Sequence, residues 1–308
     1  MKILVTGATG RVGRALMVRL AQQHQVQGLD RAPSSTAHWV GDVGDAALLR
    51  RALQGVDAVV HTAALHAPQV GRVPDAEFQR VNVDATRALA EAACATGVGQ
   101  LLYTSTTALY GDAATPTHAA GWVDETLAPQ PRTIYHRSKL AAEQLLAHYA
   151  EAGAFGLTIL RMSRCFPETA PQMACARLHR GVDARDVAEA HALALGTARP
   201  GSRVYVISGS TPFQHGDMGA LKADAPAVLR LRAPALAQAF AERGWPLPAS
   251  IDRVYSPALA QRELRWHPRF GFADVLRQLD EASPEVLPPG FLVAEPGLRL
   301  PGQAEDCK

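Results

Sequence analysis

The chain has 308 residues, of which 47% are hydrophobic, so it can bury the core of one large α/β domain or of a domain with an appended lobe. Its formal net charge is +2 and it has no basic run, so we expect neither nucleic acid nor an anionic membrane as a partner. It has no apolar run of 18 residues, no signal-peptide pattern and no C-x-x-C pair among its four cysteines. We therefore expect a cytoplasmic protein without a membrane span or a metal site.

Apolar runs and helical periodicities alternate over the first two thirds of the chain. The apolar runs predict strands at residues 3–6, 26–29, 39–40, 57–61, 100–104, 156–160 and 203–207. Helical spacing predicts helices at residues 11–23, 45–54, 75–96 and 134–152 and a further helix that starts at Asp183. This order predicts an α/β fold with right-handed crossovers and a doubly wound parallel sheet. Residues 111–132 are predicted as a loop, and short helices between prolines follow from about residue 208.

A glycine-rich turn joins the first predicted strand to the first predicted helix. Gly7 allows a tight turn, Gly10 lets a pyrophosphate approach the backbone, and Gly13 permits close packing of the helix on the strand. Asp30 ends the second strand 17 residues after Gly13, where a carboxylate can accept hydrogen bonds from ribose hydroxyls. This context predicts a Rossmann-type dinucleotide site with the phosphates at the amino end of the helix.

The residues around that acid bear on the choice of dinucleotide. The Asp30 carboxylate would repel a 2′-phosphate and so favours NAD. Arg31 beside it and Arg11 in the turn could instead bind that phosphate, so NADP stays open as an alternative.

Tyr135 and Lys139 stand four residues apart in the predicted helix 134–152. This spacing places both side chains on one face of the helix, about one turn apart. A cation beside a phenol favours the phenolate, so the spacing predicts a lowered pKa for Tyr135 and a role as an acid/base.

In their order and spacing these motifs resemble an extended short-chain dehydrogenase/reductase of the NAD-dependent epimerase/dehydratase family, over about residues 1–280. The resemblance is carried by residues 6–13, 30, 41–43, 61–64, 82–83, 103–106, 109–111, 135–139 and 161. It implies a homodimer formed through the two long helices near residues 75–97 and 132–153. Together with the element order it predicts a dinucleotide-binding domain at 1–165, to which 183–208 returns. A small, mostly helical substrate-binding lobe would comprise 166–182 and 209–283, and an irregular tail 284–308.

The resemblance also implies which residues contact the cofactor. They are Gly7, Gly10, Arg11, Val12, Gly13, Asp30, Arg31, Asp42, Val43, Thr62, Ala63, Ala64, Asn82, Thr104, Tyr135, Lys139, Met162 and Ser163. Asp42 and Val43 would contact the adenine, and residues 62–64 would line the pyrophosphate and nicotinamide side. Asn82 would support the loop after the fourth strand, and residues 162–163 would border the nicotinamide.

The catalytic residues implied by the resemblance are Thr106, Tyr135 and Lys139. Tyr135 would take the proton from a substrate hydroxyl while a hydride leaves for the nicotinamide. Lys139 would lower the pKa of Tyr135 and hold the nicotinamide ribose, and Thr106 would orient the substrate oxygen. We therefore expect an NAD(P)-dependent oxidoreductase. A sugar or nucleotide-sugar epimerase, which returns the hydride, stays open, and a non-catalytic dinucleotide sensor is the third alternative.

Two departures from the family narrow the expected reaction and the expected substrate. Family dehydratases carry an Asp-Glu pair after the threonine, whereas this chain has Thr107 and Ala108. Alanine cannot move a proton, so we do not expect 4,6-dehydration. The stretch between Arg161 and Asp183 is short where nucleotide-sugar enzymes carry a long insert, which favours a small polar substrate such as a sugar or sugar acid. The compact stretch is similar to that of uronate dehydrogenases, although Arg164 and Thr107 depart from their pattern.

Candidate substrate-binding residues follow from these positions: His66, Thr107, Arg164 and Arg177. His66 stands where some family members have a lysine that contacts the cofactor. His179 and Arg180 lie in the same basic stretch as Arg177, which could bind an anionic or polyhydroxylated substrate. An ordinary solvated basic turn is the alternative for this stretch.

Overall fold

The strands of the computed structural model, which describes residues 1–197 and 200–287, form two parallel sheets. The strands are β1 (Lys2–Thr6), β2 (Gln25–Asp30), β3 (Trp39–Val40), β4 (Ala58–His61), β5 (Gln100–Thr106), β6 (Gly121–Val123), β7 (Gly156–Met162), β8 (Ser202–Ile207) and β9 (Arg253–Tyr255). Seven of them form one sheet in the order β3-β2-β1-β4-β5-β7-β8, and β6 pairs with β9. The predicted α/β fold with a doubly wound parallel sheet is confirmed.

Helices cover both faces of the large sheet and make up most of the carboxy-terminal part. They are α1 (Arg11–Leu20), α2 (Ala46–Ala52), α3 (Asp75–Gln79), α4 (Ala85–Thr96), α5 (Ile134–Glu151), α6 (Ala170–Ala176), α7 (Ala184–Leu195), α8 (Met218–Ala223), α9 (Ala225–Arg232), α10 (Pro234–Glu242), α11 (Ala258–Leu264) and α12 (Phe272–Asp280). One apolar cluster joins α1 and α7 to the sheet, and another joins α2, α4 and α5 to its other face. Among the described residues, no helix is long and apolar enough to cross a membrane.

The sheet topology decides where a ligand can bind. In β1, Thr6 pairs with Leu29 of β2 on one side and with His61 of β4 on the other. The chain moves outward to β2 and β3 on one side and to β4 and β5 on the other, so the strand order reverses beside β1. A crevice opens outside the carboxyl ends of the strands at such a point.

Three features differ from the sequence prediction. The predicted helix 75–96 is helical throughout, but its turn Arg80–Asp84 is a π-helix between α3 and α4. The predicted loop 111–132 contains β6, and the region after residue 208 contains β9 as well as helices. β6 and β9 have only three residues each, and they pair with each other although more than 100 residues separate them in the chain. No local pattern therefore marks them. The predicted tail lies outside the described residues from position 288 onward.

Candidate active site

A cavity of about 500 Å³ lies at the carboxyl ends of β1, β2, β4, β5 and β7. It brings together most of the sequence-predicted site residues: Gly7, Gly10, Arg11, Val12, Gly13, Asp30, Arg31, Asp42, Val43, Thr62, Ala63, Ala64, His66, Thr104, Thr106, Thr107, Tyr135, Lys139, Met162, Ser163 and Arg164. Asn82 and Arg177 are not among its lining residues. The described residues contain no cluster of side chains suited to a metal ion.

The glycine turn after β1 is tight and packs closely against α1. Gly7 has a φ of +71°, and a Cβ on Gly13 would lie 2.0 Å from the Gly7 oxygen, so both positions exclude larger residues. Gly10 lines the cavity, and a Cβ there would have only the Gly7 oxygen near it, at 3.4 Å. Packing within the protein therefore leaves the surface of Gly10 open to a ligand. No side chain of the described residues caps α1, whose first N–H groups remain available to an anion.

Asp30 is oriented by backbone donors at the end of β2. Its Oδ2 accepts a hydrogen bond from Thr9 N at 3.1 Å, and its Oδ1 accepts one from Ala32 N at 3.1 Å. Each carboxylate oxygen has a further lone pair, so the side chain can also accept ribose hydroxyls. Asp42 lies nearby on the lining, where its carboxylate accepts hydrogen bonds from Gly44 N at 2.7 Å and from Arg80 Nη1 at 3.0 Å. The backbone bond from Gly44 is the main reason why the pKa of Asp42 is lowered.

Tyr135 is the second residue of α5, two positions after the cap residue Thr133, whose hydroxyl accepts a hydrogen bond from His136 N. The phenol is 8% exposed and lies near the side chain of Thr106 at the end of β5. Burial raises the pKa of Tyr135, and the Thr106 hydroxyl offsets this only in part. The direction is opposite to the lowering that the Tyr/Lys spacing predicts, because burial outweighs the other influences.

Lys139 lies one turn further along α5 and is 2% exposed. Its Nζ donates a hydrogen bond to the main-chain oxygen of Thr104 at 2.8 Å and lies 4.0 Å from the centre of the Tyr103 ring. Burial lowers the pKa of Lys139 to about 7, although Glu143 opposes this shift. At neutral pH the lysine is thus close to the midpoint between its charged and neutral forms.

Buried histidines hold the strand ends on which this site depends. His191 hydrogen-bonds the hydroxyl of Thr104 at 2.8 Å, and His61 bridges the hydroxyls of Thr6 and Thr86 at 2.7 and 2.9 Å. Burial lowers the pKa of His61 to about 3 and that of His191 to about 4. Both rings are therefore neutral at pH 7 and position threonines without adding charge.

The two predicted residues that do not line the cavity have structural partners. Asn82 accepts a hydrogen bond from Leu65 N at 2.7 Å and donates to Ser138 Oγ at 2.9 Å, so it ties the loop after β4 to α5. Arg177 is 5% exposed and pairs with Asp183 at 3.1 Å. Asn82 thus supports the loop beside the cavity, and Arg177 does not line the cavity.

The end of the cavity next to β7 is basic. Arg164 pairs with Glu168 at 2.6 Å, and Arg180 and Arg253 lie on the same wall. His66 lines the cavity from the loop after β4 and is exposed to solvent.

The sequence analysis does not identify several lining residues: Ser105, Phe166, Arg253 and Tyr255. Arg180, which it names within the basic stretch, does line the cavity. Ser105 stands between two named strand residues, and its buried hydroxyl has no hydrogen-bond partner in the described part of the chain. Arg253 and Tyr255 belong to β9, and only the pairing of β9 with β6 brings them to the cavity.

A parallel sheet with a glycine turn, an acid after the second strand and a crevice at the strand ends defines a dinucleotide-binding α/β protein. The model of the NAD dependent epimerase/dehydratase family matches residues 3–177. This match covers more than half of the chain, which therefore belongs to the NAD-dependent epimerase/dehydratase family. The resemblance indicated by the sequence motifs is confirmed.

Several known proteins are similar to parts of the chain. An NAD-dependent glucose-6-phosphate dehydrogenase of Haloferax volcanii is 32% identical over 48% of this chain and 62% of its own length. An undecaprenol-linked N-acetylglucosamine 4-epimerase of Escherichia coli O157:H7 is 32% identical over 54% of this chain and 49% of its own length. The chain thus matches less than two thirds of either relative.

Solved structures extend the similarity of the fold to most of the chain. A short-chain dehydrogenase/reductase superfamily protein of Agrobacterium tumefaciens, solved with bound NAD, superposes with a TM-score of 0.70 and 23% identity. The superposition covers 92% of this chain and 97% of that one. At this level of identity the likeness shows a shared fold.

Proposed function

We propose that this protein is an NAD-dependent oxidoreductase that interconverts a hydroxyl and a carbonyl group on a small polar substrate. The observation that carries the proposal is the meeting of Thr106, Tyr135 and Lys139 on one wall of the cavity that the glycine turn opens. When bound, NAD supplies a nicotinamide that accepts or returns a hydride. The chain's own residues bind the cofactor, orient the substrate and move the proton.

Tyr135 is the proton donor and acceptor in this proposal. Because burial raises its pKa, the phenol holds its proton at neutral pH and can donate it to the oxygen of a substrate carbonyl. In the opposite direction it takes the proton of a substrate hydroxyl. The hydroxyl of Thr106 hydrogen-bonds the same substrate oxygen and fixes its position. The cationic form of Lys139 favours the phenolate that the oxidation direction requires.

Asp30 supports NAD over NADP. Its oxygens are already oriented by Thr9 N and Ala32 N, and a 2′-phosphate at this point would meet a carboxylate. Arg31 is exposed and beside it, so NADP remains the alternative cofactor. The solved relatives that contain NAD support the same choice.

The basic end of the cavity guides the choice of substrate, and Ala108 guides the choice of reaction. An alanine stands where an elimination reaction would need a proton-transfer group, so dehydration is not part of the proposal. The relative named as a glucose-6-phosphate dehydrogenase supports oxidation of a small sugar derivative.

The test is net formation of reduced nicotinamide from NAD with a panel of sugars, sugar acids, sugar phosphates and hydroxy acids. Tyr135→Phe should lower kcat by about 100-fold or more while NAD still binds, because the ring keeps its shape and loses only the proton. Tyr149→Phe, a half-buried phenol on the same helix, is the matched control and should keep full activity. Equal activity of Tyr135→Phe and the wild type would contradict the proposal.

An epimerase is the second candidate, because the relative named as a 4-epimerase shares the family and the same catalytic residues would serve both reactions. An epimerase retains its NAD and returns the hydride, so it gives no net change in absorbance. Tightly retained cofactor together with an altered sugar stereochemistry would favour it. A non-catalytic dinucleotide sensor is disfavoured by the buried Tyr135 and Lys139, which such a protein does not need.

Further parts of the proposal concern assembly and location. Residues 166–182 and 209–283 form the substrate-binding lobe, around an apolar cluster that includes α6, α8, α9 and α10. The helical regions 75–97 and 132–153 form the interface of a homodimer, which light scattering on the purified protein tests. The free thiols of Cys94, Cys165 and Cys175 suit a reducing cytoplasm. Neither nucleic acid nor a membrane is part of this function.

A further inference from the structure

In the described part of the chain, acidic residues line only one end of the cavity. Among the described lining residues, the acids are Asp30, the last residue of β2, and Asp42, which lies two residues after β3. The other end, beside β7, is lined by Arg164, Arg180 and Arg253. A substrate that reaches past Tyr135 therefore meets positive charge.

The three arginines differ in how their charge is matched. Arg164 pairs with Glu168 at 2.6 Å, and Arg253 makes two hydrogen bonds to Asp252, at 3.0 and 2.5 Å. Within residues 1–197 and 200–287, the Arg180 side chain has neither an ion pair nor a hydrogen bond, and its Nε is buried without an acceptor. A buried N–H group is costly to leave without an acceptor, so a ligand or water that accepts its hydrogen bond is favoured at this position.

The backbone around Arg180 is held from two sides. Arg164 N donates to the Arg180 oxygen at 2.9 Å, and Val182 N donates to the Arg164 oxygen at 2.9 Å. On the other side, Tyr255 N donates to the His179 oxygen at 2.8 Å. The segment that carries Arg180 is thus attached both to the loop after β7 and to β9. An arginine on a fixed backbone loses less conformational entropy when it binds a ligand.

A role for Arg180 in neutralising Asp252 does not explain its position. The charge of Arg180 contributes to the lowered pKa of Asp252, but the hydrogen bond from Arg253 contributes more, and the two carboxylate oxygens of Asp252 already accept the bonds from Arg253. Among the described residues, the donors of the Arg180 guanidinium therefore have no acceptor on the cavity wall.

We propose that Arg180 binds an anionic group of the substrate, either a carboxylate or a phosphate monoester, and that the substrate is therefore an anionic hydroxy compound. The planar guanidinium can donate two parallel hydrogen bonds to two oxygens of either group. The charges of Arg164 and Arg253 are already matched by Glu168 and Asp252, so Arg180 supplies the positive charge that attracts the anion. This inference rests on the proposed function, since it places the anion on the molecule whose hydroxyl meets Tyr135.

Calorimetric titration tests this assignment without turnover. The protein is Tyr135→Phe saturated with NAD, and the ligands are D-glucuronate, D-glucose 6-phosphate and D-glucose. We expect one of the two anions to bind at least about tenfold more tightly than glucose, because a charged hydrogen-bond pair forms. Adding Arg180→Gln should weaken binding of that anion by about 10- to 100-fold and leave the binding of glucose unchanged. Arg180→Lys should give an intermediate loss, because lysine keeps the charge but not the fork.

The exposed Arg230 provides the matched control, and Arg230→Gln should leave the affinity for the anion unchanged. Tight binding of glucuronate identifies a carboxylate, and tight binding of glucose 6-phosphate identifies a phosphate ester. The inference is overturned if neither anion binds more tightly than glucose, or if Arg180→Gln and Arg180→Lys both bind the anion as the parent does. Failure of the proposed function is a separate result: the wild type would bind the anion through Arg180 and still produce no reduced nicotinamide.

Discussion

Lys139 donates a hydrogen bond from Nζ to the main-chain oxygen of Thr104 at 2.8 Å, and this contact fixes helix α5 to the end of strand β5. The same strand end carries Thr106, whose side chain lies near Tyr135. A lysine in helix α5 and a threonine in strand β5 thus set the position of the tyrosine relative to the sheet. Burial removes the ammonium from water, and this loss of hydration lowers its pKa to about 7, even though the carbonyl of Thr104 and the ring of Tyr103 lie against it.

The lowered pKa of Lys139 makes the stability of the fold depend on pH. The folded-state pKa of about 7 lies below the ordinary value of 10.5, so between these values the unfolded chain binds more protons than the folded one. The free energy of unfolding of the wild type should therefore rise with pH, relative to Lys139→Met, by about 1 to 3 kcal/mol from pH 7 to about pH 9. Urea unfolding of both proteins across this range measures the difference. Parallel curves would contradict the assigned shift.

Gly13→Ala should destabilise the fold and disrupt cofactor binding. The new Cβ would lie 2.0 Å from the backbone oxygen of Gly7, so the turn and the first helix must move apart. We expect a loss of about 1–3 kcal/mol in the free energy of unfolding, together with weaker NAD binding. Gly219→Ala is the control, because a Cβ there meets nothing within 4 Å and alanine favours the helix. Chemical denaturation and a cofactor titration check both effects, and wild-type behaviour of Gly13→Ala would refute the packing argument.

Asp30→Ala should weaken NAD binding by about 10- to 100-fold, because in the proposed site the carboxylate accepts two charged hydrogen bonds from the ribose. The affinity for NADP should fall less or rise, because the carboxylate no longer repels a 2′-phosphate and Arg31 remains. Fluorescence titration with both dinucleotides measures the ratio. Asp112→Ala removes an exposed carboxylate, which pairs with Arg132, and should leave both affinities unchanged. An unchanged preference in Asp30→Ala would show that the acid does not select the cofactor.

Arg161 and Glu143 form a buried ion pair beneath the active site. The guanidinium donates to the carboxylate at 2.7 Å and to the Tyr110 hydroxyl at 3.0 Å. Arg161→Met should lower the free energy of unfolding by about 3–5 kcal/mol, because Glu143 is left as an unpaired buried charge. The double variant Arg161→Met with Glu143→Leu should recover most of that loss. Denaturation of the three proteins gives the coupling energy, and additive losses in the double variant would contradict a direct pair.

Much of the fold could be predicted from the sequence because the signals are local. Apolar runs and helical periodicity located the strands of the large sheet, and the glycine turn with Asp30 located one end of the cavity. The strands β6 and β9 could not be predicted, since three residues give no periodicity and their partners are distant in the chain. Arg253 and Tyr255 reach the cavity only through this pairing, so the sequence does not identify them as site residues.

The sequence by itself determined the order of elements, the family and the residue types available for chemistry, because these follow from pattern and spacing along the chain. Only the tertiary structure decided the environment of each group. The spacing of Tyr135 and Lys139 predicted a lowered tyrosine pKa, yet burial raises it. Arg177 and Arg180 belong to the same basic stretch of the sequence. In the structure Arg177 pairs with Asp183, whereas Arg180 lines the cavity without a partner among the described residues. Burial and pairing depend on segments far apart in the chain, and no local pattern encodes them.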